Sequence, residues 1–204
     1  MALSPSDSQA VEAAFDAAQM RTRAPIGCVL AAASSDYAVP PILWSGLITL
    51  ATPWPLLVFT RLSAERIFLL QLIVCLIALA IFSLRPLRLR LTPKRLRRAL
   101  AHRAALVQYA VRGLDRGAGH DGVLIYVSLA ERYARVIAGL DACRVVSAAQ
   151  WQSLIDALVA DLAAKGTTAA LTAAATRCAD LLATDFPPDP AAPATSAGHR
   201  FHVV

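Results

Sequence analysis

Two carboxylates, Asp36 and Glu131, follow shortly after apolar runs of the kind that form buried strands. Ser34 and Ser35 precede the first carboxylate, and Ser128 precedes the second. Ligands of open α/β sheets bind outside the carboxyl ends of the parallel strands, so the two carboxylates would converge if their strands are parallel neighbours. Such a pair offers hard oxygen ligands for Ca²⁺ or Mg²⁺, or an acid and a base for hydrolysis.

The same carboxylates have a simpler interpretation as solvated turn residues. No third carboxylate is tied to them by spacing, since Asp121 belongs to the opposite strand end and Asp141 to a loop. The sequence therefore favours the simpler interpretation, with Asp36 and Glu131 as the candidates for any catalytic or metal-binding role. The chain also lacks the P-loop, the dinucleotide-binding, the nucleophile-elbow and the HExxH motifs, which excludes the enzyme classes that depend on them.

Two long uncharged stretches dominate the first half of the chain, at residues 37–60 and 67–84. At about 1.5 Å per residue the second gives about 27 Å, close to the roughly 30 Å of hydrocarbon that a helix must cross. Pro53 and Pro55 each remove an amide donor from the first, so we expect a kinked span there rather than a re-entrant segment. The short connection, residues 61–66, predicts a helical hairpin whose two flanks lie on one side of the membrane.

A run of seven cationic side chains with no carboxylate follows the second stretch. Cytoplasmic flanks of membrane spans accumulate Lys and Arg, whereas the connection between the two stretches carries only Arg61 and Arg66. The asymmetry predicts two cytoplasmic termini and anionic headgroups as a partner, and it leaves nucleic-acid binding as a minority alternative. No signal peptide is expected, because the first twenty residues lack a basic leader and an apolar run. The predicted topology anchors are Arg85, Arg88, Arg90, Lys94, Arg95, Arg97 and Arg98.

The elements outside the hairpin alternate between helices and strands. Residues 6–20 predict a helix that buries Val11, Phe15 and Ala18, and residues 26–33 predict a strand. After the hairpin, the uniformly apolar residues 122–127 suit a strand covered on both faces. A hairpin partner strand is expected next, at residues 133–138.

Three further helices complete the pattern. Thr92 and Pro93 predict the start of a helix that runs to about Arg116. Ser147 and Gln150 form a capping box for the second, and the third is expected at residues 168–183. The predicted core-facing stripe of the first helix is Leu96, Leu100, Ala104, Val107, Val111 and Leu114.

Together these elements predict a small three-layer α/β/α sandwich with a transmembrane helical hairpin inserted after its first strand. A sheet can include strands from both flanks of the hairpin only if those flanks share a compartment, which an even number of spans provides. The predicted boundaries are 6–36 for the first part of the α/β domain, 38–84 for the hairpin with spans at about 38–60 and 67–84, 92–186 for the remainder, and 187–204 for a flexible tail rich in Pro and Ala.

Five segments resemble the TPM domain family in its bacterial membrane-protein subgroup. They are RTRAPIGCVLAAASSDY, AHRAALVQYAVRGLDR, DGVLIYVSLAERYARVIAG, VSAAQWQSLIDALVADL and ATDFPP, and the likeness covers residues 7–36 and 95–188. The resemblance implies an α/β/α sandwich at the inner membrane of a bacterium. It also implies a possible link to phosphatase activity, which is proposed for a plant thylakoid member, and to calcium, whose binding is reported for some members.

The chain departs from the family at the start of the first strand, where Ala24 and Pro25 stand in place of a Gly-Glu pair. That departure removes a carboxylate from the expected site. The predicted function is therefore an integral membrane protein that displays a cytoplasmic TPM-like domain as an accessory module, with another membrane protein as its partner. The alternative is a phosphatase-like hydrolase that uses Ca²⁺ or Mg²⁺. Since only a few residues separate Asp36 from the apolar double proline, anything bound there would meet the lipid surface or a membrane protein.

Overall fold

The computed structural model describes residues 3–35, 37, 39–84, 87–88, 92–114, 120–188 and 200–204. The chain folds into two compact units, of which the first combines residues 1–34 with 100–204 and the second comprises residues 35–99. The helices are α1 (Pro5–Gln19), α2 (Val39–Ala51), α3 (Pro53–Phe59), α4 (Ala64–Phe82), α5 (Lys94–Val111), α6 (Leu140–Val145), α7 (Ala148–Ala164) and α8 (Thr167–Ala183). The strands are β1 (Ile26–Ala31), β2 (Val123–Ser128), β3 (Tyr133–Ala138) and β4 (Phe201–Val203).

A four-stranded sheet in the order β3-β2-β1-β4 is the centre of the first unit. β1 and β2 are parallel over their whole length, with Ile26 opposite Val123 and Ala31 opposite Ser128. β3 pairs with β2 in antiparallel orientation, and β4 pairs with β1 in parallel. All residues of β1 and β2 are buried, as their uniformly apolar sequences predict. The chain is a mixed α/β protein. Of its two central strands, β1 precedes the second unit in the sequence and β2 follows it.

Helices α1, α7 and α8 pack on one face of the sheet. α1 buries Val11, Phe15 and Ala18, which confirms the predicted stripe. α8 contacts both α1 and α7 through a face of short side chains, and this allows the helix backbones to approach closely. Those buried short residues are Ala170, Ala174, Ala175, Cys178 and Ala179.

The opposite face of the sheet packs against α5, through a side of this helix that the sequence did not predict. Ala101, Ala105 and Tyr109 are its buried residues, and the last two form one cluster with Leu124 and Tyr126 of β2. Ala104 and Leu114 of the predicted stripe do pack against the cluster. The predicted stripe is wrong at Leu96, Val107 and Val111, which are exposed, the last by 74%. The physical reason is that small alanine side chains fit against a flat sheet, whereas the hydrophobic pattern gives most weight to the larger residues.

Two helix caps had been predicted, and one of them forms. Ser147 caps α7 in a capping box, in which the Gln150 N–H donates to Ser147 Oγ at 3.3 Å and the Ser147 N–H donates to Gln150 Oε1 at 2.9 Å. The predicted cap at Thr92 is wrong. α5 begins at Lys94, and the Thr92 hydroxyl donates to the carbonyl of Arg88 at 2.8 Å instead of accepting from the first turn of the helix.

The end of the predicted flexible tail, residues 187–204, is part of the sheet. Residues 201–203 form β4, and Phe201 is only 7% exposed in the core beneath α1 and α8. Arg200 pairs with Asp16 of α1 at 3.0 Å. A three-residue strand that follows a long Ala- and Pro-rich segment carries no periodic signal, so the sequence could not reveal it. Residues 189–199 of the predicted tail lie outside the described residues.

The second unit is built from apolar helices that expose most of their large side chains. α2 ends at Ala51 and α3 begins at Pro53, so the break falls where the prolines predict a kink. α4 packs against both of them and begins at Ala64, three residues before the predicted start. By length and composition, Val39–Phe59 and Ala64–Phe82 can each cross a membrane, and only 6% and 11% of their apolar windows are buried.

Candidate functional site

Four side chains meet at the carboxyl ends of β1 and β2, and we call them the strand-end cluster: Ser34, Tyr126, Ser128 and Glu131. Glu131 Oε1 accepts from the Ser34 N–H at 3.0 Å, and Glu131 Oε2 accepts from Ser34 Oγ at 3.3 Å. The Ser128 hydroxyl also donates to Oε2. Both oxygens of the carboxylate therefore accept hydrogen bonds from the chain's own groups.

The parallel register of β1 and β2 positions this cluster. Because Ala31 lies opposite Ser128, both strands end at the same level of the sheet. The loop after β2 is then tied to the chain that leaves β1, since the Leu129 N–H donates to the Ala31 carbonyl at 3.0 Å and the Ala130 N–H to the Ala32 carbonyl at 3.1 Å. These bonds place Glu131 next to Ser34, as expected for residues at the ends of neighbouring parallel strands.

Tyr126 belongs to the cluster, although the sequence analysis did not select it. Its hydroxyl lies 3.0 Å from Ser34 Oγ. Burial raises the pKa of Tyr126 above its ordinary value of 10.0. The hydrogen bond with Ser34 lowers this pKa, whereas the negative charge of Glu131 raises it further. The hydroxyl is therefore neutral at physiological pH. Its position two residues before Ser128 was the available signal, because alternate residues of a strand share a face.

The hydrogen bonding of Glu131 limits the chemistry of the cluster. Ser34 and Ser128 donate three hydrogen bonds to this carboxylate, which has about four acceptor sites, so a proton or a cation must compete with those bonds. The geometry suits a structural link between the ends of β1 and β2. Among the described residues there is no group of three or more His, Cys, Asp or Glu that could hold a metal ion. Asp36 lies outside the described residues, so its convergence with Glu131 stays a prediction.

The predicted topology anchors are distributed over the second unit. Lys94, Arg95, Arg97 and Arg98 occupy the first turns of α5, where all but the half-buried Arg97 are exposed. Arg88 is half-buried, and Arg85 and Arg90 lie outside the described residues.

At the start of β1, Ala24 is buried and the Pro25 carbonyl accepts from the Val123 N–H at 2.8 Å. These two residues, which stand where the resemblance leads us to expect a Gly-Glu pair, thus take part in packing and strand pairing.

Asp161 of α7 is a buried acid that the sequence analysis did not select. Lys165 Nζ lies 2.9 Å from its Oδ1, and Arg177 Nη1 of α8 lies 2.7 Å from its Oδ2. Hydrogen bonds from Lys165 and then Arg177 lower the pKa of Asp161 below its ordinary value of 3.8. The ion pairs of Asp161 therefore stabilise the folded domain at a pH above 3.8, and this contribution is lost as the pH falls through the lowered pKa of Asp161. Asp161 links α7 to α8 and has a structural role.

Comparison with known proteins adds one structural likeness. No family model and no curated protein matches the chain. Among solved structures, the NMR structure of BA42 protein from the psychrophilic bacterium Bizionia argentinensis is similar, with a TM-score of 0.61 and 12% sequence identity. The match covers 100% of this chain and 97% of that chain. At this identity the likeness concerns the fold.

Proposed function

We propose that this chain is an integral membrane protein that displays a TPM-like α/β/α sandwich at the cytoplasmic face of a bacterial inner membrane. The main observation in support of the proposal is that β1 and β2 pair in parallel, although the second unit separates them in the sequence. The chain leaves the α/β domain after β1, passes through two helices long enough to span a membrane, and returns to form β2. This path supports the proposal that a hairpin of two spans interrupts the domain.

The strand pairing also supports a topology with both termini on one side. β1 lies before the two apolar helices and β2 lies after them, so a sheet that contains both strands requires an even number of crossings. The excess of Arg and Lys after the second span favours the cytoplasm as that side. Each cation near the surface adds about 1 kcal/mol of attraction to anionic headgroups.

Within this topology we assign the α/β domain an accessory role in which it docks another membrane protein. The hydrogen bonds that Glu131 accepts from Ser34 and Ser128 favour docking over catalysis. The outer side of α5 supports the assignment as well, because Leu106, Val107 and Val111 are exposed there. Clustered exposed aliphatic side chains are the kind of surface that a protein partner covers.

A phosphatase-like hydrolase is the second candidate. The observation in its favour is that Ser34, Ser128 and Glu131 meet at the carboxyl ends of two parallel strands, where ligands bind in α/β sheets. In that role Glu131 and Asp36 would act as acid and base or would bind Ca²⁺ or Mg²⁺.

The topology predicts opposite labelling of two cysteines by a membrane-impermeant maleimide. Cys143 is exposed in the α/β domain, and Ser63 is exposed between α3 and α4. In a chain that carries Ser63→Cys and Cys75→Ser, we expect the new cysteine to be labelled in intact spheroplasts and Cys143 only in inverted vesicles. Native Cys143 is the internal control for sidedness. Labelling of both positions from the same face would contradict a spanning hairpin.

Replacement of Glu131 distinguishes a structural role of this residue from a catalytic role in hydrolysis. Glu131→Ala leaves the Ser34 N–H and the Ser128 hydroxyl without their acceptor, so we expect the free energy of unfolding to fall by about 2 kcal/mol. Glu131→Gln keeps an acceptor oxygen and is expected to lose about 1 kcal/mol. Thermal unfolding of the solubilised full chain measures both losses.

The same two variants serve in an assay of phosphate release from p-nitrophenyl phosphate, with and without Ca²⁺ or Mg²⁺. We expect the unaltered chain and both variants to release phosphate only at the background rate. Phosphate release by the unaltered chain that Glu131→Gln abolishes, at a temperature where both are folded, would replace the accessory role by the hydrolase.

A further inference from the structure

A cavity of about 520 Å³ lies beside the turn between β2 and β3 in the α/β domain. Its volume falls within the roughly 300–1,000 Å³ of small-molecule sites, and its lining is mostly apolar, as in such sites. One wall comes from the end of β2 and its turn, and the other from the last turns of α7. The apolar side chains that define these walls are Val127, Leu129, Val159 and Leu162.

Arg132 is the one charged residue in the lining of this cavity. Among the residues that the structure describes, no carboxylate forms a salt bridge with it. Glu131 precedes it in the chain but accepts from Ser34 and Ser128 and is absent from the lining. Arg132 is exposed, so its planar fork of donors is accessible at the cavity. A guanidinium beside an apolar cavity, with no salt-bridge partner in the described part of the chain, is suited to a carboxylate.

The backbone of Arg132 is the second unusual feature of the cavity. Its φ is 50°, in the left-handed region that glycine adopts without steric cost, and its N–H donates to the Leu129 carbonyl at 3.3 Å. A long cationic side chain thus occupies a turn position that favours glycine. An observed backbone outlier beside a cavity motivates a functional hypothesis for that residue.

We infer that the cavity binds a small amphipathic carboxylate, with its apolar body between the end of β2 and α7 and its carboxylate on Arg132. The apolar walls select the body, and the guanidinium selects the charge. A neutral or cationic molecule with the same body loses the ion pair and binds more weakly. The lining includes Ser128 of the strand-end cluster but no residue of α5, so the site is separate from the exposed side of α5 that supports the docking role.

The test uses the solubilised full chain, labelled on its Leu and Val methyl groups, and two probes with one aromatic body. These probes are 2-naphthylacetate and the uncharged 2-(2-naphthyl)ethanol. We expect the carboxylate to shift the methyl signals of Leu162 and Val159 and to bind about tenfold more tightly than the alcohol. Signals inside the cavity report binding there, separately from partitioning of the probes into detergent. Absence of these shifts at saturating carboxylate, or equal affinity for both probes, would overturn the inference.

Matched variants separate the charge from the cavity. Arg132→Gln is expected to remove the tenfold preference for the carboxylate, and Arg132→Gly does the same with a residue that suits the backbone. Arg135→Gln removes an equal charge from an exposed position outside the lining and should keep the preference. If Arg132→Gln keeps it, Arg132 is not the anion partner and the inference fails.

A second pair of variants tests the space itself. Ala163 lines the cavity and is exposed, so Ala163→Trp fills the mouth with little effect on the core. We expect it to abolish the methyl shifts for both probes. Ala164, the next residue of α7, is also exposed but absent from the lining, and Ala164→Trp should bind as the unaltered chain does. Identical binding by Ala163→Trp would exclude this cavity as the site.

Discussion

Phe201→Ala is expected to lower the free energy of unfolding of the α/β domain by about 3–5 kcal/mol, the usual loss for a buried phenylalanine. Phe201 is 7% exposed and belongs to the core cluster of α1 and α8. It is also the first residue of β4, which pairs with β1 at Cys28 and is three residues long. Backbone bonds also hold the strand, since the Cys28 N–H donates to the Arg200 carbonyl at 2.8 Å and the Val204 N–H to the Leu30 carbonyl at 2.9 Å. Phe201 is the buried side chain of β4, so its loss should weaken the attachment of the strand as well as leave a cavity.

The unfolding of this variant can be followed through two buried thiols. Cys28 and Cys178 are fully buried, and burial raises the pKa of Cys178 from 9.0 to about 12, so neither thiol reacts until the domain unfolds. In a background with Cys75→Ser and Cys143→Ser, a fluorogenic maleimide then reports the unfolding temperature. Val203→Ala alters a half-exposed residue of the same strand and is the matched control, with little expected change. Equal midpoints for the two variants would mean that Phe201 does not anchor β4.

The sequence predicted those elements whose burial follows their apolar pattern. β1, β2 and α1 agree because their apolar residues are buried, although β2 buries Ser128 as well. Ser147 caps α7 because its partner Gln150 lies at the required spacing. β4 was not predicted, because three residues are too few to show the alternating hydrophobic pattern of a strand. The buried side of α5 was not predicted, because alanine contributes little to a hydrophobic pattern. The small size of the alanine side chain nevertheless decides which side of the helix fits against the sheet.

The candidate site was predictable in its location and less so in its bonding. Strand ends and nearby polar residues placed Ser34, Ser128 and Glu131 at one edge, and there the structure brings them together. The hydrogen bonds that Glu131 accepts from the other two could not be predicted from the residues alone, since such bonds depend on the in-register ends of β1 and β2. Arg132 was not predicted as a cavity residue, because α7 and the turn meet only through tertiary packing.

Close backbone approach makes glycine essential where β3 leads into α6. Gly139 lies between the end of β3 and the first residue of α6, and its N–H donates to the Gly122 carbonyl at 2.9 Å. A Cβ added at Gly139 would lie 1.8 Å from the carbonyl oxygen of His120 and 2.5 Å from the carbonyl carbon. Backbone atoms cannot rotate away as a side chain can, and that same oxygen accepts from the Asp141 N–H at 3.3 Å. Any substitution must therefore separate the segment before β2 from the start of α6.

Gly139→Ala is accordingly expected to lower the free energy of unfolding by at least about 3 kcal/mol, the upper end of ordinary overpacking, because the displaced atoms are backbone. Gly27→Ala is the matched control inside β1, where the added Cβ would lie 3.4 Å from the Leu114 and Leu124 side chains and 3.9 Å from the Arg200 carbonyl oxygen, which are ordinary contacts. The thiol assay should thus show a much lower unfolding temperature for the first variant than for the second. Similar temperatures would mean that the segment before β2 can move away from Gly139 without loss of packing, and the close approach would then not constrain the fold.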